Sequence, residues 1–295
     1  MNSNTKYENL INHHLKRFPQ DQNFVKLLLQ NEEFLPEEKS YGSWLKFNLN
    51  SIERGEIFIS TIEKKIGPIK GLKVLDVGAG SGGASIAFYK HGCDVTAVEI
   101  DDIRLKWLKS RIKDHKIPIQ IINQPIEEIN FTNKYDLIYC NAVLEHVFNW
   151  KSFLHRLLEI NQGHIYLSWP NKYSILEILS DSHYRLFGAT FLTGKLRFLQ
   201  KYYLKMMKIK RNPCVISVPT LFSVKKLIAK NSNLHQVAPF FPSSFEKIQN
   251  PERINYKPAR IILIVMKKLM IPCSFMVKIA WSIRKTREIL ISKVM

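Results

Sequence analysis

One short glycine-rich turn constrains this chain more than any other feature of its sequence. The apolar run at residues 74–77 predicts a buried parallel strand, and the residues from Ala84 onward predict a helix that packs back on that strand. Between them lie residues 78–83, which are mostly glycine. Glycine permits positive φ and lets a ligand approach the backbone without meeting a Cβ. The pattern therefore predicts a βαβ unit with a ligand at its turn.

An acid at the end of the next strand indicates what kind of ligand this is. A second apolar run at residues 94–98 ends in Glu99, about twenty residues after the first glycines. A carboxylate at that point can accept hydrogen bonds from both hydroxyls of a ribose. The sequence thus predicts a nucleoside site, in which Gly78, Gly80 and Gly82 make room for the ligand.

Asp76 favours one class of nucleoside cofactor over another. The turn satisfies G-x-G-x-x-G, so a nicotinamide or flavin dinucleotide stays open. However, a carboxylate two residues before the first glycine would repel a pyrophosphate. S-adenosylmethionine has an adenosine for Glu99, no phosphate, a sulfonium, and an ammonium that Asp76 could hold directly or through water. The acid therefore favours this cationic cofactor.

Three motifs in order resemble a known family. They are Val74-Leu-Asp-Val-Gly-Ala-Gly-Ser-Gly82, Val98-Glu-Ile-Asp101 and Tyr135-Asp-Leu-Ile-Tyr-Cys-Asn-Ala-Val-Leu-Glu-His-Val147. Together they resemble class I S-adenosylmethionine-dependent methyltransferases, in the branch that contains the ubiquinone-pathway O-methyltransferases. The likeness covers roughly residues 73–170, and the ordered set is more specific than any single motif.

The resemblance implies an α/β fold. We expect a Rossmann-like, seven-stranded, mostly parallel sheet with flanking helices. Residues 1–66 are expected to form an N-terminal helical lid and residues 67–295 the methyltransferase domain. An insertion at about residues 173–212 follows strand 5, where open α/β sheets usually build acceptor specificity. Its polar stretch Ser182-His-Tyr-Arg185 could contact an acceptor or serve a turn.

The resemblance also implies a set of cofactor-binding residues. Many relatives place an acid for the adenine amino group where this chain has Gln124, whose amide oxygen could accept the same hydrogen bond. Asn141 is expected to face the methionine end of the cofactor. The full predicted set is Asp76, Gly78, Ala79, Gly80, Gly82, Glu99, Ile100, Gln124, Pro125 and Asn141.

His146 is the candidate catalytic residue, as a general base for an acceptor hydroxyl. A packing or capping role for this histidine is the alternative. Some methyltransferases with Glu-x-x-Glu-His bind a divalent ion, but Ala142 occupies the first Glu position here, so we predict no metal site. Arg54 could pair with the carboxylate of the cofactor, or form an ordinary surface salt bridge.

The charge is strongly uneven. The net charge is +19, but residues 1–170 carry 21 Lys and Arg against 20 Asp and Glu, whereas residues 171–295 carry 23 against 5. The basic half indicates an anionic partner, which could be lipid head groups, a phosphate-bearing acceptor or nucleic acid. Solubility alone is the alternative explanation.

A basic amphipathic helix is predicted over residues 195–211. Arg197, Lys201, Lys205 and Lys208 recur along one face, while another face carries Leu199, Tyr202, Tyr203, Met206 and Ile209. Such a helix can rest on anionic lipid, or it can pack on the sheet and leave its basic face in water.

Several other elements are predicted from apolar spacing. Residues 24–29 are expected to form one helix, and residues 41–66 a helical segment broken at Gly55. The sixth strand is expected at 234–241 and a last antiparallel strand at 275–281. The very apolar segment 258–270 should lie against the sheet, lipid or an apolar acceptor chain.

The predicted function is methyl transfer from S-adenosylmethionine to a small-molecule or lipid-linked acceptor. Alternatives are an RNA methyltransferase, an NAD(P)-dependent oxidoreductase, and a binding protein without turnover. With no signal pattern, no apolar run long enough to span a membrane, and cysteines without a C-x-x-C pair, we expect a cytoplasmic location. Peripheral attachment to the inner face of a membrane is a further expectation.

Overall fold

The computed structural model describes residues 7–31, 41–209, 213–231, 235–239 and 286–293, with the single positions 264 and 268. The strands are Lys73–Val77 (β1), Asp94–Val98 (β2), Gln120–Ile122 (β3), Tyr135–Asn141 (β4), Asn161–Pro170 (β5), His235–Pro239 (β6) and Thr286–Lys293 (β7). They form one sheet in the order β3-β2-β1-β4-β5-β7-β6. This confirms the predicted seven-stranded Rossmann-like sheet.

Helices cover the sheet and precede it. Their bounds are Glu8–Arg17 (α1), Gln22–Leu29 (α2), Tyr41–Leu49 (α3), Ser51–Ile66 (α4), Gly83–Lys90 (α5), Asp102–Asp114 (α6), Trp150–Ile160 (α7), Ile175–Leu179 (α8), Arg197–Met206 (α9) and Leu221–Asn231 (α10). No described helix is both long and apolar enough to cross a membrane.

The direction of the chain reverses beside β1. From β1 the chain moves outward through β2 to β3, and it then returns to place β4 on the other side of β1. β1 to β5 pair in parallel, and β7 runs antiparallel between β5 and β6. In open α/β sheets such a switch point opens a crevice at the carboxyl ends of the strands. The glycine turn after β1 lies at this crevice.

Side-chain caps set two helix starts. The Asp101 carboxylate accepts a hydrogen bond from the backbone N–H of Arg104 at 2.9 Å, and Thr220 Oγ1 accepts one from the backbone N–H of Ser223 at 3.0 Å. Each side chain satisfies a donor that has no partner within its helix. These two boundaries depend on neighbouring residues only.

The prediction that the chain breaks at Gly55 is wrong. α4 runs through this position without interruption. A Cβ on Gly55 would lie 2.8 Å from the Cβ of Ala87 in α5. The glycine therefore serves the close approach of two helices, which the sequence pattern could not distinguish from a helix break.

The ends of the chain also differ from the sequence prediction. Ahead of the predicted helix at residues 24–29 there is a further helix, α1. The strand predicted at 275–281 lies outside the described residues, as does almost all of 258–270. The last antiparallel strand of the sheet is β7, which begins at residue 286. Only pairing with β5 and β6 identifies it, since several apolar stretches in this half have strand-like patterns.

Aromatic packing attaches α4 to one face of the sheet. The Phe58 ring lies 4.6 Å from the ring of Tyr139 in β4 and 4.7 Å from that of Tyr166 in β5. It also meets Phe88 of α5 at 5.8 Å. α4 is thus part of the main core, and the proposal that residues 1–66 form a separate lid stays a prediction.

We expect Phe58→Ala to lower the free energy of unfolding by about 3 to 5 kcal/mol, because it leaves a cavity among buried rings. Phe148→Ala is the matched control, since 84% of Phe148 is exposed, and it should change stability by no more than about 0.5 kcal/mol. Urea unfolding followed by circular dichroism measures both. Equal effects of the two substitutions would contradict this account of the core.

Candidate functional site

Backbone hydrogen bonds to β2 fix the position of the glycine turn. The N–H groups of Gly78 and Ala79 both donate to the carbonyl oxygen of Val98, at 2.8 and 3.0 Å, so the turn is fixed to the end of β2. A Cβ on Gly78 would lie 2.4 Å from Val143 Cγ2, whereas the nearest atom to a Cβ on Gly80 would be 4.0 Å away. The turn is therefore closed on the Val143 side and open at Gly80.

Glu99 crosses from β2 to this turn. Its Oε2 accepts a hydrogen bond from the N–H of Gly80 at 2.7 Å, and its Oε1 accepts one from the N–H of Asp101 at 2.9 Å. A carboxylate oxygen has two lone pairs, so each oxygen can accept one further hydrogen bond. The geometry suits a pair of adjacent hydroxyls, as on a ribose.

Asp76 lies buried beneath the turn, where Ser85 Oγ donates to its Oδ2 at 2.5 Å. Burial raises the pKa of the Asp76 carboxyl to about 7; the Ser85 hydrogen bond opposes this shift and the charge of Glu99 adds to it. A nearby cation would reverse the shift. Ser85 was not among the predicted residues, although its place one turn into the helix after the glycines was a usable signal.

The predicted adenine-side residues form an exposed rim. Ile100, Gln124 and Pro125 are all exposed, just beyond the ends of β2 and β3. Asn123 braces this rim, since its side-chain amide donates to the carbonyl oxygen of Glu99 at 2.8 Å. The structure therefore brings these predicted residues to the same edge as Glu99.

Asn141 is the last residue of β4 and lies at the crevice, and the chain turns sharply after it. Ala142 has a φ of 57°, in the left-handed region that non-glycine residues rarely adopt. Its N–H donates to the carbonyl oxygen of Ser168 at 2.9 Å, which anchors the turn to β5. The turn directs Val143 toward Gly78. The sequence carried no signal for it, because no glycine marks the position.

Arg54 forms no salt bridge with any residue that the structure describes, so that alternative is not what is seen. Its guanidinium carbon lies 3.4 Å from the centre of the Phe47 ring, and its Nη2 donates to the carbonyl oxygen of Phe47 at 3.0 Å. Burial lowers its pKa, with Tyr139, Tyr166 and Glu53 opposing the shift. Its buried Nε has no hydrogen-bond partner among the residues that the structure describes. A role toward the cofactor carboxylate stays a prediction.

Glu145 is the centre of a second group of side chains just beyond β4. Glu145 is 0% exposed, and neither carboxylate oxygen has a hydrogen-bond partner within the described ranges. Burial raises the pKa of the Glu145 carboxyl to about 8; the nearby N–H of its own backbone opposes the shift and the charge of Glu177 adds to it. His183 Nε2 lies 3.8 Å from Glu145 Oε1, and His146 Nε2 lies 4.0 Å from the same oxygen. These three residues are called the Glu145 cluster.

The tautomer of His146 is fixed by its surroundings. Its Nδ1 lies 2.8 Å from the carbonyl oxygen of Cys214. A carbonyl only accepts, so Nδ1 carries the hydrogen and Nε2 presents a lone pair. Burial lowers the pKa of His146, with the Cys214 contact opposing and the charge of Arg104 adding. The lowered pKa favours the neutral imidazole, and in that form Nε2 can accept a proton.

His183 reaches this cluster from the insertion, which the sequence could not show. Residues 145 and 183 are far apart in the chain, and only the fold brings their side chains together. Two other polar residues of that stretch bond within the protein: Ser182 Oγ donates to Glu177 at 2.6 Å, and the Tyr184 hydroxyl accepts from the N–H of Cys214 at 2.8 Å.

The Glu145 cluster has the donor chemistry for two tasks. Its three ligand atoms lie within 4.8 Å of one another, so a carboxylate and two imidazoles could surround a divalent ion. The same groups could share a proton with an acceptor hydroxyl. The absence of a metal stays a prediction, based on Ala142 in place of a first carboxylate.

Comparison with known proteins gives the family. A model described as a methyltransferase domain matches residues 31–221. The ubiquinone biosynthesis O-methyltransferase of Rickettsia felis is 28% identical over 127 residues, which cover 43% of this chain and 49% of the relative. That of Photorhabdus laumondii is 29% identical over 118 residues, 39% of this chain and 49% of the relative. The chain spans about half the length of these curated relatives.

Comparison with solved structures also returned a methyltransferase. It is a magnesium protoporphyrin IX methyltransferase from Synechocystis with bound SAH, 13% identical, with a TM-score of 0.47 over 84% of this chain and 87% of that chain. The family match runs from before α3, through the glycine turn and the Glu145 cluster, to the start of α10. The chain therefore belongs to the methyltransferase-domain family, as its resemblance to class I S-adenosylmethionine-dependent methyltransferases implied.

Proposed function

We propose that the chain transfers a methyl group from S-adenosylmethionine to an oxygen of a small-molecule or lipid-linked acceptor. The observation that carries the proposal is the pair of buried carboxylates at the glycine turn, Glu99 beside it and Asp76 beneath it. Two acids favour a cation and repel a pyrophosphate, so an NAD(P)-dependent oxidoreductase is the weaker candidate. Oxygen is favoured because the curated relatives are named O-methyltransferases.

The residues present fit this cofactor. Glu99 keeps two lone pairs for the ribose hydroxyls, and Asp76 can balance the ammonium directly or through water. The open side at Gly80 admits the ligand. Ile100, Gln124 and Pro125 would border the adenine, and Asn141 the methionine end. Gly78, Ala79 and Gly82 would shape the floor.

When bound, the cofactor supplies a methyl group that its sulfonium already activates. The chain then has three tasks: to align the acceptor, to exclude water and to take the proton of the acceptor hydroxyl. We assign the proton to His146 Nε2, whose lone pair faces the Glu145 cluster. Glu145 and His183 lie where they can share the positive charge that develops on His146.

Asp76 makes donor binding depend on pH. Its pKa of about 7 means that the carboxyl is largely protonated below pH 7, and only the ionised form attracts an ammonium. We expect the affinity for S-adenosylhomocysteine to rise about tenfold per pH unit up to about pH 7 and to level off above it. Asp76→Asn should weaken binding and remove the pH dependence.

Calorimetry at pH values up to roughly 1.5 units on either side of that pKa measures how the affinity for S-adenosylhomocysteine changes with pH. Asp94→Asn is the control, because Asp94 is an exposed acid at the start of β2. An affinity that does not change with pH would contradict the role of Asp76. Binding of NADH in place of S-adenosylhomocysteine would overturn the proposed cofactor.

His146→Gln should lower kcat on a phenolic acceptor by about 10²- to 10⁴-fold and leave the affinity for S-adenosylhomocysteine unchanged. Because burial lowers the pKa of His146, the wild-type rate should fall only in acid, below the ordinary histidine range, and the variant should lose this limb. His155→Gln, at an exposed histidine of α7, is the control.

Treatment with a chelator tests whether the Glu145 cluster holds a divalent ion instead. We expect EDTA to leave the wild-type rate unchanged. A loss of activity that added Mg²⁺ restores would show that the Glu145 cluster holds a cation, and would contradict the predicted absence of a metal. A full rate in His146→Gln would remove this residue from catalysis.

The surface of the insertion supports an anionic membrane as partner. Its two acids before α10, Glu177 and Asp181, are both buried, so the exposed charges over residues 172–209 are cationic. Along α9 the exposed side chains include Phe198 (65%), Tyr202 (73%) and Met206 (77%), four residues apart on one face. Lysines 201, 205 and 208 beside them are also exposed.

This arrangement differs from an ordinary packed helix. The buried positions of α9 are Gln200 and Leu204, while Phe198, Tyr202 and Met206 face outward. Exposed aromatic and Met side chains next to lysines match the interface of an anionic bilayer, where the rings enter the head-group layer and the cations meet phosphates. A lipid-linked acceptor would be presented at the same surface.

Lys201→Glu with Lys205→Glu should reduce binding to vesicles that contain an anionic phospholipid by at least about tenfold at low salt, since each cation contributes on the order of 1 kcal/mol. Lys109→Glu with Lys113→Glu, two exposed lysines of α6, is the charge-matched control. Vesicle flotation measures both. Salt-dependent retention of the wild type on RNA but not on vesicles would overturn the membrane proposal and favour a nucleic-acid methyltransferase.

A further inference from the structure

A buried network of charged side chains lies between the N-terminal helices and α6. Asp21, which follows α1, accepts hydrogen bonds from Arg111 Nη2 at 2.6 Å and Arg111 Nε at 3.2 Å. His14 Nε2 and His115 Nε2 each lie 2.8 Å from the same carboxylate. All four side chains are nearly or fully buried. We call these residues the Asp21 network.

Arg111 carries this network to the glycine turn. Its Nη1 donates to the carbonyl oxygen of Ser81 at 3.1 Å and to Ser51 Oγ at 2.8 Å, where α4 begins. Ser81 lies between Gly80 and Gly82, which both have positive φ. The guanidinium is flanked by the Phe24 ring, whose centre lies 4.1 Å away. One side chain therefore joins the N-terminal helices, α4 and the turn.

The contact of Arg111 with Ser81 depends on its contacts with Asp21. Burial alone would raise the pKa of the Asp21 carboxyl, but hydrogen bonds from His115, His14 and Arg111, with the charge of Arg111, hold it well below its ordinary range. The guanidinium is planar and rigid, so the contacts of Nε and Nη2 with Asp21 fix the direction of Nη1. Without the carboxylate, that orientation is lost.

We propose that Asp21 is a positioning residue for donor binding: it orients Arg111, which holds the Ser81 carbonyl and so keeps the glycine turn in the shape that the donor needs. The proposal rests on the proposed function of this turn as the donor site. It also goes beyond the family match, which begins at residue 31, because Asp21 and His14 precede that residue.

The turn is sensitive to such a displacement. Gly80, next to Ser81, donates its N–H to Glu99, so a shift of the Ser81 carbonyl would move the backbone group that orients the ribose-binding carboxylate. Misplacement of binding groups by about 1 Å can cost roughly 10²-fold in activity. The effect should fall on the donor, because the Glu145 cluster is attached to β4 and the insertion instead.

Asp21→Asn is the test, with Glu53→Gln as matched control. Glu53 forms an ion pair with Arg17 at 2.6 Å, which also joins α1 to α4 but does not reach the turn. We expect Asp21→Asn to raise the Kd for S-adenosylhomocysteine and the KM for the donor about tenfold or more, with the KM for a phenolic acceptor little changed. Glu53→Gln should stay within about twofold of wild type.

A second variant and a second measurement separate positioning from general loss of structure. Arg111→Lys keeps the charge but cannot bridge Asp21 and Ser81 in the same way, so it should weaken the donor in the same direction. Hydrogen exchange of peptides that cover residues 78–83 should be faster in both variants. All affinities are measured well below the unfolding temperature of each variant.

The outcomes distinguish this inference from the function on which it rests. Wild-type binding that a folded Asp21→Asn or Arg111→Lys leaves unchanged overturns the positioning role and leaves the proposed function standing. Equal weakening of donor and acceptor would also overturn it, as an effect of general destabilisation. A wild-type protein that binds no S-adenosylhomocysteine overturns the proposed function and this inference with it.

Discussion

The hydrogen bond between Glu99 and the Gly80 N–H is the contact on which the candidate site depends. It exists because β1 and β2 pair in parallel with Val77 opposite Val98, so that both strands end at the same level. The pairing of the two strands therefore places the Glu99 carboxylate within hydrogen-bond distance of the Gly80 N–H. A buried carboxylate with a fixed backbone donor is a preorganised acceptor, and this is what a ribose requires.

The two sides of the crevice differ in how they are built. The side proposed for the donor uses backbone groups and the carboxylates of Asp76 and Glu99, fixed near the ends of adjacent strands, and these two acids favour a cation. The side proposed for the acceptor combines the turn after β4 with the insertion, and the Glu145 cluster joins the two through His183. Since an activated methyl donor needs little covalent help, a donor site fixed by backbone contacts beside an acceptor site built partly from the insertion suits the proposed chemistry.

The insertion keeps its acidic side chains inside and its basic side chains on the surface. The acids of the insertion are buried and hydrogen-bonded inside it, Glu177 to Ser182 and Asp181 to the N–H groups of residues 183, 184 and 186. They stabilise turns and leave the outer surface to lysines and aromatic rings. A single segment therefore contributes His183 to the Glu145 cluster and also carries the cationic, apolar face for which a bilayer partner is proposed.

The sequence by itself determined those features that depend only on residues adjacent in the chain. The apolar run 74–77, the glycines and Glu99 predicted the βαβ unit and the class of its cofactor, because strand burial and positive φ are local properties. The tertiary structure decided what depends on distant partners. It placed β7 between β5 and β6, His183 beside Glu145, Arg111 between Asp21 and Ser81, and Gln200 rather than Tyr202 in the interior. Such choices follow from which surfaces a folded chain can bury together, and no short stretch of sequence contains that information.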